Sequence, residues 1–191
     1  YFNYKPWENY LSQKIDFNTR LKNKINTILN KLIKEARGRT ISIPLSAGLD
    51  SRLIASGLKH LGYKNVKCFS YGKKNNFEAI AAKKIAKKLG YSWIFCEINR
   101  VNINKFYQTE TFKNFIKSTN DGVATVGIQD VYAIYYLKKI NFIKKNDIIV
   151  NGNSGDFISG GHIPIEFKKN TYLLNKKNSN NYKSIINSII K

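Results

Sequence analysis

The sequence predicts an α/β domain, a parallel sheet sandwiched by helices. Three observations point there. Short continuous apolar runs alternate with amphipathic stretches of helical period, glycines stand where those helices should stop, and two of the apolar runs empty into small-residue loops. Strands that are apolar throughout, rather than at every second residue, are expected in a sheet covered on both faces.

Over residues 17–37 the apolar positions Leu21, Ile25, Ile28, Leu29, Leu32, Ile33 and Ala36 recur at three and four, an amphipathic helix that Gly38 stops. Residues 40–45 form a short apolar strand, with Pro44 placing the strand end there. After the loop at 46–48, Leu49, Leu53, Ile54, Leu58 and Leu61 outline a second helix closed by Gly62. A strand at 66–71 follows, then a helix at 77–89 with Ile80, Ala81, Ile85 and Leu89 on one face and Gly90 as its stop. Residues 92–98 give a third strand, 103–116 and 131–140 give helices, and 147–151 a last buried strand. From residue 168 to 181 the chain turns polar and Lys/Asn-rich, which marks a linker, and 182–191 is a helix fragment with Ile185, Ile186, Ile189 and Ile190.

With 191 residues, 42% of them apolar, the chain can bury one ordinary core. No apolar run reaches the roughly 18–20 residues that span a bilayer, and no apolar leader segment is recognisable at the N-terminus. Two widely separated cysteines, Cys68 and Cys96, make neither a disulfide framework nor a zinc site, and favour a reducing, cytoplasmic setting. The net charge of +21 is carried by lysine doublets such as Lys83-Lys84, Lys87-Lys88, Lys138-Lys139 and Lys144-Lys145 on the outer faces of expected helices. A solvated face is the favoured reading of these doublets; nucleic acid is the less favoured partner, and the positive field would also gather a small anion.

The chemistry concentrates in two loops. Ser46-Ala47-Gly48-Leu49-Asp50-Ser51 follows a strand and opens a helix, so its N–H groups face outward at the positive end of the helix dipole. Gly48 and Ala47 admit a phosphate close to the main chain, and Ser46 and Ser51 add hydroxyls. Asp50, an anion itself, suits a Mg²⁺ ion held against phosphates. The lack of Gly-Lys-Ser/Thr excludes a Walker-type loop. Gly152-Asn153-Ser154-Gly155-Asp156 repeats the logic after the last strand, with Asp156 as a second carboxylate. In an open α/β sheet such loops share one crevice.

Residues 44–52, Pro-Leu-Ser-Ala-Gly-Leu-Asp-Ser-Arg, resemble the pyrophosphate loop of the N-type ATP pyrophosphatases, whose adenine nucleotide alpha hydrolase-like (HUP/PP-loop) fold is the α/β sandwich expected above. Together with Phe69-Ser70-Tyr71-Gly72, Phe77-Glu78-Ala79, Leu89-Gly90, the second loop and Gly160-Gly161, they resemble the synthetase domain of the asparagine synthetase family. The resemblance implies a synthetase domain over residues 17–167, preceded at 1–16 by the junction from a glutaminase-like domain, where Tyr4-Lys5-Pro6-Trp7 matches, and followed at 168–191 by the linker and truncated helix.

It further implies an ATP-dependent amide ligase that adenylates a small-molecule carboxylate, with AMP and pyrophosphate formed, for attack by ammonia from a glutaminase domain or subunit. By position, Leu45, Ser46, Ala47, Gly48, Leu49, Asp50, Ser51, Ser70, Tyr71, Gly72 and Gly152 would hold ATP. Asp50 and Asp156 would bind Mg²⁺, and Asp50, Asp156 and Arg52 would serve catalysis. Ala47 departs from the usual glycine, Asn153 from an acidic residue and Phe157 from a glutamate, which leaves the acceptor open between aspartate, a uronic acid and others. A tRNA-modifying N-type ATP pyrophosphatase and a degenerate module that binds ATP without turnover stand as alternatives. Thr119-Asn120-Asp121-Gly122 with Thr125 and Gln129 is a candidate acceptor segment or a helix-start turn. His60 and His162 are weak candidates, and Tyr132, Tyr135 and Tyr136 have the spacing of packing residues.

Overall fold

Four apolar segments, β1 (Ile41–Pro44), β2 (Val66–Gly72), β3 (Ser92–Glu97) and β4 (Ile148–Ile149), pair side by side in a computed structural model that describes residues 17–119 and 128–152. All pairings are parallel and the order is β3-β2-β1-β4. Parallel neighbours need crossovers, and the helices supply them. They are α1 (Phe17–Ala36), α2 (Leu49–His60), α3 (Phe77–Leu89), α4 (Arg100–Tyr107), α5 (Glu110–Thr119) and α6 (Ile128–Lys139).

Period-two alternation along the strands separates two cores. Ile41, Ile43, Leu45, Val66 and Cys68 turn to one face, where Ala36 of α1, Ala55 and Leu58 of α2, and Ala82 and Ala86 of α3 cover them. Phe69 and Cys96 turn to the other, against Phe106 of α4 and Tyr132, Ala133 and Leu137 of α6. The α/β sandwich expected from the sequence is therefore the one observed, and the described residues fall in a single compact unit that ends at Gly152.

Several details differ from the sequence expectation. The helix expected over 103–116 is two helices, because Thr109 both ends one and starts the next: its hydroxyl donates to the Phe106 carbonyl at 2.7 Å and accepts from Phe112 N–H at 3.2 Å. The next helix begins at Ile128, ahead of the expected Val131. Strand pairing at 147–151 is confined to Ile148 and Ile149, with one more ladder bond from Val150 N–H to the Ser42 carbonyl at 3.1 Å.

The buried faces of α2 and α3 also differ. They are formed by Ser51, Ala55 and Leu58 and by Ala79, Ala82 and Ala86, while Leu49, Leu53 and Ile80 are 75%, 48% and 48% exposed. Small side chains let a helix axis approach a sheet closely, so here they win the inward positions over larger ones. The lysine doublets at 83–84, 87–88, 138–139 and 144–145 are exposed, as is His60, while Tyr132 is buried in the second core. No helix among the described residues is long and apolar enough to cross a membrane.

Both cysteines are free and fully buried, and burial pushes each thiol from 9.0 up to about 12. A protonated, inaccessible thiol is no nucleophile. Two predictions follow from these cores. Leu58→Ala should cost about 2–5 kcal/mol in urea unfolding, the usual range for emptying a leucine site. Cys68 and Cys96 should resist a thiol reagent in the native protein and react fully in denaturant. Their raised folded pKa also fixes a sign: the stabilisation is complete below pH 9.0 and is lost as pH climbs towards about 12. Urea midpoints should fall over that window, and less steeply in a Cys68→Ala/Cys96→Ala variant.

Candidate nucleotide site

The strand order creates the site. From β1 the chain steps to β2 and β3 on one side, then returns to place β4 on the other side of β1. The connection leaving β1 runs to β2 while β4 lies on the opposite side of β1, so the carboxyl ends of β1 and β4 lie side by side at one edge of the sheet. The first glycine loop leaves β1 there, and Gly152 ends the stretch leaving β4.

These two segments touch. A Cβ added to Gly152 would lie 2.7 Å from the Ser51 backbone nitrogen and 3.0 Å from both the carbonyl carbon and Cβ of Asp50. Only a residue without a side chain lets the β4 exit rest on the first turn of α2. Gly152 and the end of the loop at 46–51 are thus neighbours in space. Asn153, Gly155, Asp156, Phe157, Gly160, Gly161 and His162 lie outside the described residues, as do residues 120–127 of the candidate acceptor segment.

Within the first loop the serines shape the backbone. Ser46 N–H donates to Ser51 Oγ at 3.1 Å, Gly48 N–H donates to Ser46 Oγ at 3.0 Å, and the two hydroxyl oxygens lie 3.2 Å apart in a further hydrogen bond. Ser51 is buried. Each serine hydroxyl, expected from the sequence to face a ligand, also has a task inside the loop, where the two take up the N–H groups of Ser46 and Gly48. Gly48 is the N-cap of α2 in extended backbone and brings no side-chain cap to the first-turn N–H groups, the kind of helix start that suits an anion. Ala47 is not among the residues with positive φ, so its methyl group carries no backbone strain.

Asp50 sits in the first turn of α2, half-buried. Arg52 Nε donates back to the Gly48 carbonyl at 3.0 Å, which folds the guanidinium over the loop. Both residues also line an open cavity of about 440 Å³ between α2 and α3, with Leu49, Leu53, Ile85 and Leu89. Among the described residues no three His, Cys, Asp or Glu side chains cluster as a metal site.

Beside the loop lies a smaller cavity of about 100 Å³, walled by Pro44, Leu45 and Ser46 at the end of β1, Ser70 and Tyr71 of β2, and Glu78 and Ala79 of α3. The expected adenosine residues Leu45, Ser70 and Tyr71 therefore share one pocket, and Gly72, with φ 133°, turns the chain just beyond. A buried relay fixes that wall: Trp93 Nε1–H donates to Ser70 Oγ at 3.0 Å, and Ser70 O–H donates to the Leu45 carbonyl at 2.6 Å. Leu45 N–H in turn donates to the Phe69 carbonyl at 2.7 Å. Tyr71 O–H donates to Asp130 at the start of α6. Burial, then this bond and the nearby carboxylates, hold the Tyr71 phenol well above its ordinary value. Neither the relay nor the Asp130 contact is legible in the sequence, since both join strands and helices through pairs 23 to 59 residues apart.

Gly152→Ala should force the two backbones apart. The expected result is a loss of about 1–3 kcal/mol in urea unfolding, the usual cost of inserting a methyl group where no space exists.

The family model for asparagine synthase matches residues 36–182. No curated protein sequence matches the chain. Among solved structures, the NH3-dependent NAD synthetase from Campylobacter jejuni is 18% identical, with a TM-score of 0.47 over 74% of this chain and 59% of that one. The glutamine-dependent NAD+ synthetase from Acinetobacter baumannii is 18% identical, with a TM-score of 0.46 over 71% of this chain and 26% of that one. The predicted subunit of tRNA methyltransferase from Methanocaldococcus jannaschii is 20% identical, with a TM-score of 0.35 over 60% of this chain and 53% of that one. The chain thus spans less than two thirds of each of these proteins. The family match, in contrast, takes in well over half of this chain and runs through both glycine loops: the chain belongs to the asparagine synthase family.

Proposed function

We propose that this chain is an ATP-pyrophosphatase-type ligase domain that makes an amide by way of an acyl-adenylate. The observation that carries the reading is the contact of Gly152, the first residue of the second loop, with Asp50 and Ser51 at the helix N-terminus that the first loop opens, beside a small pocket at the end of β1. Family membership supports the use of ATP.

In the proposed reaction a carboxylate oxygen of the acceptor attacks the α-phosphorus of ATP. The bond from that phosphorus to the β-bridging oxygen breaks, and pyrophosphate leaves with the electron pair. Ammonia then attacks the acyl carbon, loses a proton, and expels AMP. Charge gathers on the departing pyrophosphate, and the outward N–H groups at the start of α2 are the donors suited to meet it. Leu45, Ser70, Tyr71, Gly72 and Gly152 would enclose the adenosine, and Ser46, Ala47, Gly48, Leu49 and Ser51 the phosphates. Arg52 keeps its terminal guanidinium nitrogens for the same charge while its Nε holds Gly48. Asp50, with Asp156 as the second carboxylate by its place in the motif, would hold Mg²⁺, whose charge offsets that of the phosphates. A glutaminase domain or subunit is the proposed ammonia source, and the acceptor is a small carboxylate.

The test supplies the full chain with ATP, Mg²⁺ and ammonium, screens aspartate, glutamate and uronic acids, and measures AMP and pyrophosphate. Equal amounts of both, formed only with an acceptor, are expected. AMP release that requires RNA instead would replace this reading with tRNA modification, and ATP binding without AMP would make the chain a binding module. Asp50→Asn should lower turnover roughly 100-fold or more without changing the melting temperature. Undiminished turnover would show that Asp50 holds no metal.

A further inference from the structure

Gly152 reaches the first turn of α2 at the end of a very short strand. β4 pairs with β1 through Ile148 and Ile149. Its amides bond to β1 from Ile148 N–H to the Thr40 carbonyl at 2.8 Å and from Val150 N–H to the Ser42 carbonyl at 3.1 Å. Neutral bonds of this kind are individually weak, yet the backbone contact beyond them leaves no room even for a methyl group.

A second anchor lies at the amino end of β4. Asp147, its side chain 5% exposed, closes the turn between α6 and β4: its carboxylate accepts from Lys144 N–H at 3.0 Å, and its own N–H donates to the Lys144 carbonyl at 3.1 Å. Lys67 of β2 holds the same turn. Its ammonium donates to the Phe142 carbonyl at 3.0 Å, lies 5.4 Å from the centre of the Phe142 ring and stands 3.9 Å from the Asp147 carboxylate. β2 and β4 are not neighbours, since β1 runs between them, with Ser42 paired to Lys67 on one side and to Ile149 on the other. The lysine therefore reaches over β1, on the face that carries Thr40 and Ser42. Ser42 is fully buried, and its hydroxyl makes no hydrogen bond among the described residues. Such a hydroxyl costs stability on an inner strand, where a branched apolar side chain would pack better. Its small size leaves the lysine a path.

Resting on the ligase reading above, we infer that Lys67 and Asp147 are positioning residues for the nucleotide site: by fixing the turn before β4 they fix where Gly152 meets Asp50 and Ser51. Both stand at the amino end of the sheet, opposite the glycine loops, and act on them through β4. Hydrogen bonds from a charged donor are stronger than neutral ones, and β4 is the shortest strand, so loss of the pair should loosen β4 ahead of the rest of the sheet.

The experiment compares Lys67→Met, Lys67→Arg and Asp147→Asn with the unaltered full chain by amide hydrogen exchange, thermal melting and AMP formation. Lys67→Met and Asp147→Asn should each speed exchange at Ile148 and Val150 about 10-fold or more, while Ile41 and Leu45, whose amides bond to the β2 side, keep their rates. AMP formation should fall by a similar factor well below the melting transition. Lys67→Arg keeps the charge and the reach, and should retain most of the activity and the slow exchange. A merely structural pair would lower the melting temperature and quicken exchange evenly through β1, β2 and β4. That result, or a loosened β4 with AMP formation unchanged, overturns the inference. An unaltered chain that forms no AMP with any acceptor would instead sink the ligase reading, and exchange at Val150 would still decide whether Lys67 and Asp147 hold β4.

Discussion

The position of β1 governs the molecule. It is an inner strand, paired in parallel with β2 on one side and β4 on the other, so three strands deliver their carboxyl ends to the same edge of the sheet. Parallel pairing fixes this without reference to any side chain, because strands that run the same way must open at the same end. The loop at 46–51, the pocket wall at Ser70 and Tyr71, and Gly152 are neighbours for that reason. Central strands need full burial on both faces, and Ile41, Ile43 and Leu45 on one side with α6 and its aromatic neighbours behind β2 on the other provide it.

The site on that edge is divided by charge. At one end the paired serines fix the loop by taking up the N–H groups of Ser46 and Gly48, just before the first turn of α2. The other is lined by acceptors: Glu78 in the pocket, and Asp130 bound by the Tyr71 hydroxyl nearby. Arg52 bends back to the Gly48 carbonyl at the start of α2. The lysine-rich exterior adds a positive field that attracts anions at longer range.

The sequence reveals periodicity and loop chemistry well and lateral contacts poorly. Alternation of apolar runs and amphipathic stretches announced the sandwich, and Gly38, Gly62 and Gly90 marked three helix ends, each with positive φ in the structure. Gly48 and Asp50 were recognisable because a strand, a small-residue loop and a helix occur in sequence. Less visible was which face of α2 and α3 turns inward, since large residues such as Leu49 and Ile80 dominate a hydrophobic pattern while Ala55, Ala82 and Ala86 do the close packing. Thr109 divides a helical pattern by a capping bond that a threonine inside an apolar period does not advertise. Nor does the sequence show that Gly152 lies against Asp50 and Ser51, because the closeness of one backbone to another leaves no local pattern.

The relay from Trp93 through Ser70 to Leu45 has an optical consequence. The chain holds two tryptophans, Trp7 and Trp93, and the second has its indole N–H bonded to Ser70 in the wall of the pocket at the end of β1. Indole emission responds to its hydrogen bonding and to the polarity around it, so occupancy of that pocket is wired to a chromophore the protein already carries. Trp93 is a native fluorescent gauge of the crevice.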